Sequence, residues 1–437
     1  MNTQNKQIIV YFANWYVGRK PAAKGGEVAS IPWDRVTYVN HAFWAVAPAD
    51  GSTETSFERR DKSAAPRSEF TILSMYPDND YGNQAPSEME PSLPKNHFAQ
   101  YEAFSKRYPD VNIMISIGGW ARCGYFSEMA YTAAGRSSFI QSCVDLIRKY
   151  PWIGGIDIDW EYPGCSTAGE RQPDPNAGDG DEGCPIWGTA AEDSANFVSL
   201  LSELRTALDE HFGNGVKKLT ACAGGSTTAI LPRQNWAAAA PYLDMINLMT
   251  YDLAGTWDGV TGHASSFQGA KKAADYLTAL GIPENKICIG SPLYAISFLM
   301  NEMNPDQIIG APAASHRATD KEVAETECRA FEDQAVSGYT LKKEGVKWIK
   351  DTDFTKNGCG WHFAHDDKEG AAYLYNDDAA SPYYKWFLTY ENALSLQTKL
   401  DYINETDLAG IIIWECSQDT ADYCLITQMA ENLLVQP

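Results

Sequence analysis

GGIDIDWEYP, residues 154–163, sets Asp157, Asp159 and Glu161 two positions apart, with Ile158 and Trp160 between them. Successive side chains of a β-strand point to opposite faces, so the three acids share one face and Ile156, Ile158 and Trp160 share the other. Same-face neighbours lie about 6.5–7 Å apart. Three carboxylates at that spacing cannot all ionise cheaply in a low-dielectric interior, so at least one keeps its proton at neutral pH. On spacing alone the ladder is a proton-handling site, a register-fixing network or an oxygen-lined cation site. No histidine or basic residue accompanies the acids, which favours the first.

Seven further apolar runs surround this one: QIIVYFAN (7–14), RVTYVNHAF (35–43), VNIMISIGG (111–119), KKLTACAGG (217–225), LDMINLMTYD (243–252), KICIGSPLY (286–294) and LAGIIIWE (408–415). Near-continuous apolarity over so few residues marks strands buried on both faces. Amphipathic stretches at 137–150, 191–212 and 270–280 alternate with them, the last stopped by Gly281 and Pro283. Strand and helix alternating about eight times predicts an α/β fold, a (β/α)8 TIM barrel. A doubly wound sheet is the alternative, weakened because no GxGxxG turn follows the first strand. In a barrel the apolar ladder of 156, 158 and 160 faces the helices. The acids then point inward and rise toward the C-terminal mouth, where barrel active sites lie.

Two connections exceed ordinary loop lengths. Residues 44–95 follow the second strand, and 295–386 separate the seventh from the eighth. The second is predicted to be a small inserted α+β domain, leaving 1–294 and 387–437 as the catalytic barrel. Both open from strand C-terminal ends and would wall a cleft. A third insertion, 165–184, is rich in Gly, Pro and Asp.

The chain has 437 residues, 44% of them hydrophobic, with 35 Lys plus Arg against 57 Asp plus Glu, a formal charge of −22. That charge disfavours nucleic acid and anionic membranes as partners. No apolar stretch approaches the roughly 18 residues of a membrane span. Ten cysteines form neither a CxxC pair nor a Cys/His metal spacing; Cys222 and Cys288 read as buried thiols, and Cys165 with Cys184 as a pair that a disulfide could join. The stretch before the first strand, MNTQNK, shows no charged region followed by an apolar one, so an export signal removed beforehand or another export route is expected.

The acidic ladder, with SIGGW (116–120), LMTYDLAGTW (248–257) and IIIWECSQD (411–419), resembles the catalytic barrel of family 18 glycoside hydrolases, the chitinases. The motifs fall on the fourth, third, sixth and eighth strands, in that family's order. The resemblance spans the whole chain, including an insertion where the family often carries one. It departs at Gly154, where the family has an acid, and after Tyr294, where AISF stands in place of an arginine. A residue at 154 is expected to alternate to the face opposite Asp157, so its loss should spare the proton-handling ladder.

The resemblance implies a chitinase that cleaves β-1,4 bonds between N-acetylglucosamine units with retention, the substrate's acetamide forming an oxazolinium intermediate. Glu161 is the implied general acid/base. Asp159 orients the acetamide and shares a proton with Asp157, while Tyr251 and Asp252 hold the acetamido carbonyl and the distorted sugar. Trp414 is expected to floor the site. Tyr11, Phe43, Trp120, Tyr162, Trp257 and Tyr294 should line the cleft, with Met249 beside Tyr251. Ser116 is expected to tune Asp157, and Gly118 and Gly119 to allow close packing. No cofactor or metal is implied. The expected partner is chitin or its oligosaccharides, the expected state a monomer, and the expected location extracellular, inferred from an insoluble substrate. The alternatives are an endo-β-N-acetylglucosaminidase on N-glycans and a chitinase-like lectin; the terminal acid Glu161 weighs against the lectin.

Overall fold

The computed structural model describes residues 6–15, 27–49, 66–165, 184–314, 360–381, 384–419 and 422–434. The strands in chain order are β1 (Gln7–Ala13), β2 (Tyr38–Pro48), β3 (Phe70–Ser74), β4 (Asn112–Gly118), β5 (Ile153–Asp159), β6 (Lys218–Gly224), β7 (Met245–Met249), β8 (Ile287–Pro292), β9 (Ile296–Met300), β10 (Ala313–Ala314), β11 (Trp361–Asp366), β12 (Ala371–Asn376), β13 (Trp386–Tyr390) and β14 (Gly410–Trp414). Eight of them run parallel in the order β1-β14-β8-β7-β6-β5-β4-β2, and a β1–β2 pairing closes the ring. This is the predicted (β/α)8 barrel, with a strand at each of the eight apolar runs.

The helices are α1 (His97–Arg107), α2 (Phe126–Tyr131), α3 (Ala133–Lys149), α4 (Ala190–Phe212), α5 (Trp236–Ala239), α6 (Phe267–Ala279), α7 (Ala393–Glu405) and α8 (Cys424–Leu433). Helix α4 begins where its sequence dictates: Thr189 and Glu192 form a reciprocal capping box. It buries Phe197, Leu200, Leu201, Leu204 and Leu208 along one stripe, each side chain stabilising by about 1.5–3 kcal/mol. That stripe meets the outer ladder of β5. Ile156, Ile158 and Trp160 belong to the core between barrel and helices, and Trp160 stacks on Phe126 at 5.3 Å. A separate inner core of Ile9, Tyr11, Tyr38, Met114, Met245, Cys288 and Ile412 fills the barrel below its mouth. The acids therefore have only the inner face to occupy.

At the start of β5 the pairing with β4 slips. Ile113 opposes Ile153 while Met114 opposes Gly155, leaving Gly154 as the extra residue of a bulge. Strict alternation thus does not run through 154, which corrects the simple opposite-face expectation there.

Both long connections build on the mouth. β2 extends beyond the barrel and pairs antiparallel with β3. After β8, strands β9–β13 form an antiparallel sheet in the order β10-β9-β13-β12-β11. Its last strand reaches Tyr390, past the expected boundary at 386, because the run WFLTY pairs with β9 and β12 and not with the barrel. Residues 315–359 of this insertion, and 166–183 of the acidic loop, lie outside the described residues.

Candidate active site

Strand β5 ends at Asp159, and Glu161 follows at the mouth. Asp157, Asp159 and Glu161 are 0, 2 and 7% exposed. Their environments differ in kind. Asp157 accepts five hydrogen bonds, one of them from Cys222 Sγ to Oδ2 at 3.7 Å. Ser116 Oγ (2.7 Å) and Tyr11 Oη (3.0 Å) donate to Oδ2, and Thr220 Oγ1 (2.5 Å) and Asn247 Nδ2 (3.0 Å) donate to Oδ1. Burial raises its pKa and these donors oppose the rise, leaving it above the usual carboxylate value. Asp159 is pushed well above that value, first by burial and then by the negative fields of Glu161 and Asp157. Its Oδ1 is buried without a hydrogen-bond partner among the described residues. A proton on Asp159 removes the repulsion within the ladder.

The backbone around the acids is tied down from β4. Gly119 N–H donates to Asp159 O at 2.8 Å. Cys123 Sγ lies 3.1 Å from the same carbonyl and accepts from Glu161 N–H at 3.1 Å. A Cβ on Gly118 would lie 2.1 Å from Asp159 O, and one on Gly119 2.6 Å from the Phe43 ring. Both glycines serve close packing, as expected.

Aromatic residues form one wall and the floor. Phe43 and Trp414 stack at 5.3 Å with planes 12° apart, and Tyr11 (5.8 Å) and Trp15 (6.1 Å) flank Trp414. Trp120 and Tyr162 meet edge-on at 6.5 Å. Burial, and then the field of Glu161, raise the Tyr162 hydroxyl's pKa. Tyr251 is buried beside Met249 in the inner core, and its hydroxyl is raised by burial and by the fields of Cys222, Asp159 and Glu161. Gly290 makes room for it, since a Cβ there would lie 2.8 Å from the ring. Tyr294 Oη donates to Asp252 Oδ1 at 2.7 Å, and Asp252 holds φ 53° on the exposed rim. Trp257 stands 63% exposed above the mouth.

The structure thus gathers the ladder, Tyr251, Tyr11, Phe43, Trp414, Tyr162 and Trp120 around one mouth, with Asp252, Tyr294 and Trp257 at its rim. Sequence reasoning did not single out Thr220, Asn247, Cys222, Cys123 or Trp15 as part of it. The available signal was a lone polar residue at an inward position of an apolar strand, as at Thr220 and Asn247. Cys165 and Cys184 are not joined by a disulfide, which corrects that possible pairing, and Cys184 Sγ accepts from Trp160 Nε1 at 2.9 Å.

Comparison with known proteins bears on what this mouth is. Chitinase A1 of Niallia circulans is 27% identical over 445 residues, covering 94% of this chain and 56% of that protein. The chain spans about half the length of the first relatives it matches. The allosamidin complex of Group IV chitinase from Ostrinia furnacalis superposes with a TM-score of 0.69 at 20% identity, covering 98% of each chain. A chitinase-like agglutinin of Robinia pseudoacacia does so at 0.63 and 20%, covering 97% of this chain and 99% of that one. At such identities the two structures speak to the fold alone. The model of glycosyl hydrolases family 18 matches residues 7–419, from the first barrel strand to just past the last, and the chain belongs to that family.

Proposed function

We propose that the protein is a chitinase that hydrolyses β-1,4 bonds between N-acetylglucosamine units of chitin or chitooligosaccharides, with retention, assisted by the substrate's own acetamide. The observation that carries this reading is the gradation along β5. Asp157 is fixed by five donors, Asp159 is driven toward its protonated form, and Glu161 stands at the mouth. Family 18 hydrolases are among those that work without an enzyme nucleophile.

In this reading Glu161 gives its proton to the glycosidic oxygen as the acetamido oxygen attacks the anomeric carbon. The leaving sugar departs with that proton, and a cyclic oxazolinium remains. Water then gives a proton to the Glu161 carboxylate and attacks the anomeric carbon, reopening the ring with the original configuration. Asp159 accepts from the acetamido N–H, sharing its proton with Asp157 as charge develops. Tyr251 donates to the acetamido carbonyl, and Asp252 with Tyr294 holds the sugar at the rim. Trp414, backed by Phe43 and Tyr11, takes the apolar face of the sugar. The enzyme acts outside the cell, because an insoluble polymer does not enter one.

Glu161→Gln tests the assignment. Binding of chitin oligomers should persist while hydrolysis falls by about 10²–10⁴-fold, the usual contribution of a general acid. Undiminished turnover would overturn it. An agglutinin shares this fold, and sugar binding without turnover in the wild-type protein would favour the lectin reading. Release of glycan from a high-mannose glycoprotein, with chitin oligomers left intact, would favour an endo-β-N-acetylglucosaminidase.

A further inference from the structure

A second buried cluster lies on the helix side of β2. His41 on β2, Asp80 in the turn at 78–82 and His97 at the start of α1 are each fully buried, with one donor atom apiece inside a 4.8 Å sphere of mutual distances. His41 Nε2 lies 2.9 Å, and His97 Nδ1 3.0 Å, from the same oxygen, Asp80 Oδ1. The other oxygen takes different donors: Ser74 Oγ at 2.5 Å, Trp44 Nε1 at 3.0 Å and Asn14 Nδ2 at 3.5 Å. One oxygen facing imidazoles and the other fixed by surrounding donors is how a ligating carboxylate is held. His41 is held likewise. Its Nδ1 lies 3.2 Å from the Tyr101 hydroxyl, and that contact turns Nε2 toward the cluster.

Asn14, at the end of β1, supplies an independent sign. It is fully buried, its Nδ2 sits 3.4 Å from His41 Nε2, and its Oδ1 meets no partner among the described residues. The two ends of a carboxamide are nearly isosteric, and a half-turn exchanges them. That turn gives up the Nδ2 contacts to Phe43 O at 3.3 Å and to Asp80 Oδ2 at 3.5 Å, leaves that carboxylate oxygen to Ser74 and Trp44, and brings an oxygen donor onto the cluster.

We propose that His41, Asp80, His97 and Asn14 form a binding site for one divalent transition ion of the zinc class. Two imidazoles, a carboxylate and a carbonyl suit Zn²⁺, whereas calcium and magnesium prefer oxygen alone. Bonds of about 2.0–2.1 Å place tetrahedral donors roughly 3.3 Å apart, so the imidazoles need only open from Asp80 by a few tenths of an ångström. The role is structural. Asn14 N–H donates to Ala42 O at 2.7 Å, and Asn79 Nδ2 donates to Asn14 O at 2.9 Å. The ion would pin β1, β2, the turn and α1 together beneath Phe43 and Trp15, independently of which sugar the mouth accepts.

The test uses the whole chain, purified without metal-affinity resin, stripped with a chelator, and titrated with Zn²⁺ or Co²⁺ alone. The account expects about one zinc per chain by elemental analysis, as a single closed site requires. It also expects a rise in Tm when zinc is returned, and a four-coordinate cobalt spectrum that zinc bleaches. In His97→Gln the metal content and the zinc-dependent rise in Tm should both vanish. If that variant does not fold, the wild-type cobalt spectrum decides. Folded wild-type protein with no zinc above background and no response of Tm would overturn the site, as would zinc binding that survives His97→Gln.

Discussion

Two buried carboxylate networks lie on opposite sides of the barrel wall, and they are built to opposite rules. Outside β8, Glu391 is 0% exposed and partnered at both carboxylate oxygens. Lys399 Nζ lies 2.5 Å from Oε2, Ser291 Oγ donates to Oε2 at 2.9 Å, and Ser395 Oγ donates to Oε1 at 2.5 Å. Lys399 also donates to Ser265, which ties α7 to the loop after β7. Inside the barrel, Asp157 takes only neutral donors among the described residues, and Asp159 Oδ1 is left unpartnered among them. A buried carboxylate that is fully satisfied holds structure together. One that is left short of partners, in a mouth lined with aromatic rings, is poised for a ligand to complete it.

The comparison breaks most visibly at Asp159. Asp159→Asn should lower turnover of chitin oligomers by about 10²–10⁴-fold, as expected for a group that handles a proton in the reaction. The same change should stabilise the fold at neutral pH. The folded pKa of Asp159 is raised. The wild-type residue therefore costs nothing below its unfolded value of about 3.9, and costs progressively more as pH rises toward the folded value. The gap in stability between variant and wild type should widen by about 1.4 kcal/mol per pH unit over that window. A gap that is flat, or that narrows with rising pH, would remove Asp159 from the role of proton holder.

Lys399→Met reverses the pattern. It strands a buried charge and should cost about 3–5 kcal/mol by denaturant titration, while kcat per folded molecule is kept. Thr220→Val removes one of five donors to Asp157 and should cost about 1–3 kcal/mol. Losing a donor that favours the ionised form also shifts the acid limb of the pH–rate profile upward. An unmoved limb would show that Asp157 does not titrate in that limb. Trp257→Ala, at an exposed ring, should leave Tm unchanged and raise KM on long oligomers more than on short ones; equal KM values would take Trp257 out of the binding surface.

The barrel was legible because its strands are buried on both faces and read as unbroken apolar runs. The acidic ladder stood out for the converse reason: QIIVYF has no acids, and IDIDWE has three. What surrounds the ladder was harder to see. Thr220 and Cys222 lie on β6 and Asn247 on β7, far from Asp157 in the chain, and only the order of the strands in the barrel brings them beside it. The end of the inserted sheet was misplaced because WFLTY is as apolar as a barrel strand, and only its pairing partners tell them apart. The bulge at Gly154 leaves no mark in composition. His41, Asp80 and His97 are too far apart in the chain for any ligand-spacing motif, and the turn of the chain at 78–82 is what collects them.

The central claim is that the substrate's acetamide does the work of a nucleophile. The direct measurement is NMR of the products, read before mutarotation, from chitin oligomers and from cellulose oligomers. The account predicts β-anomers from the former and no cleavage of the latter, which lack the 2-acetamido group. Initial α-anomers, or glucose oligomers released from cellulose, would contradict it.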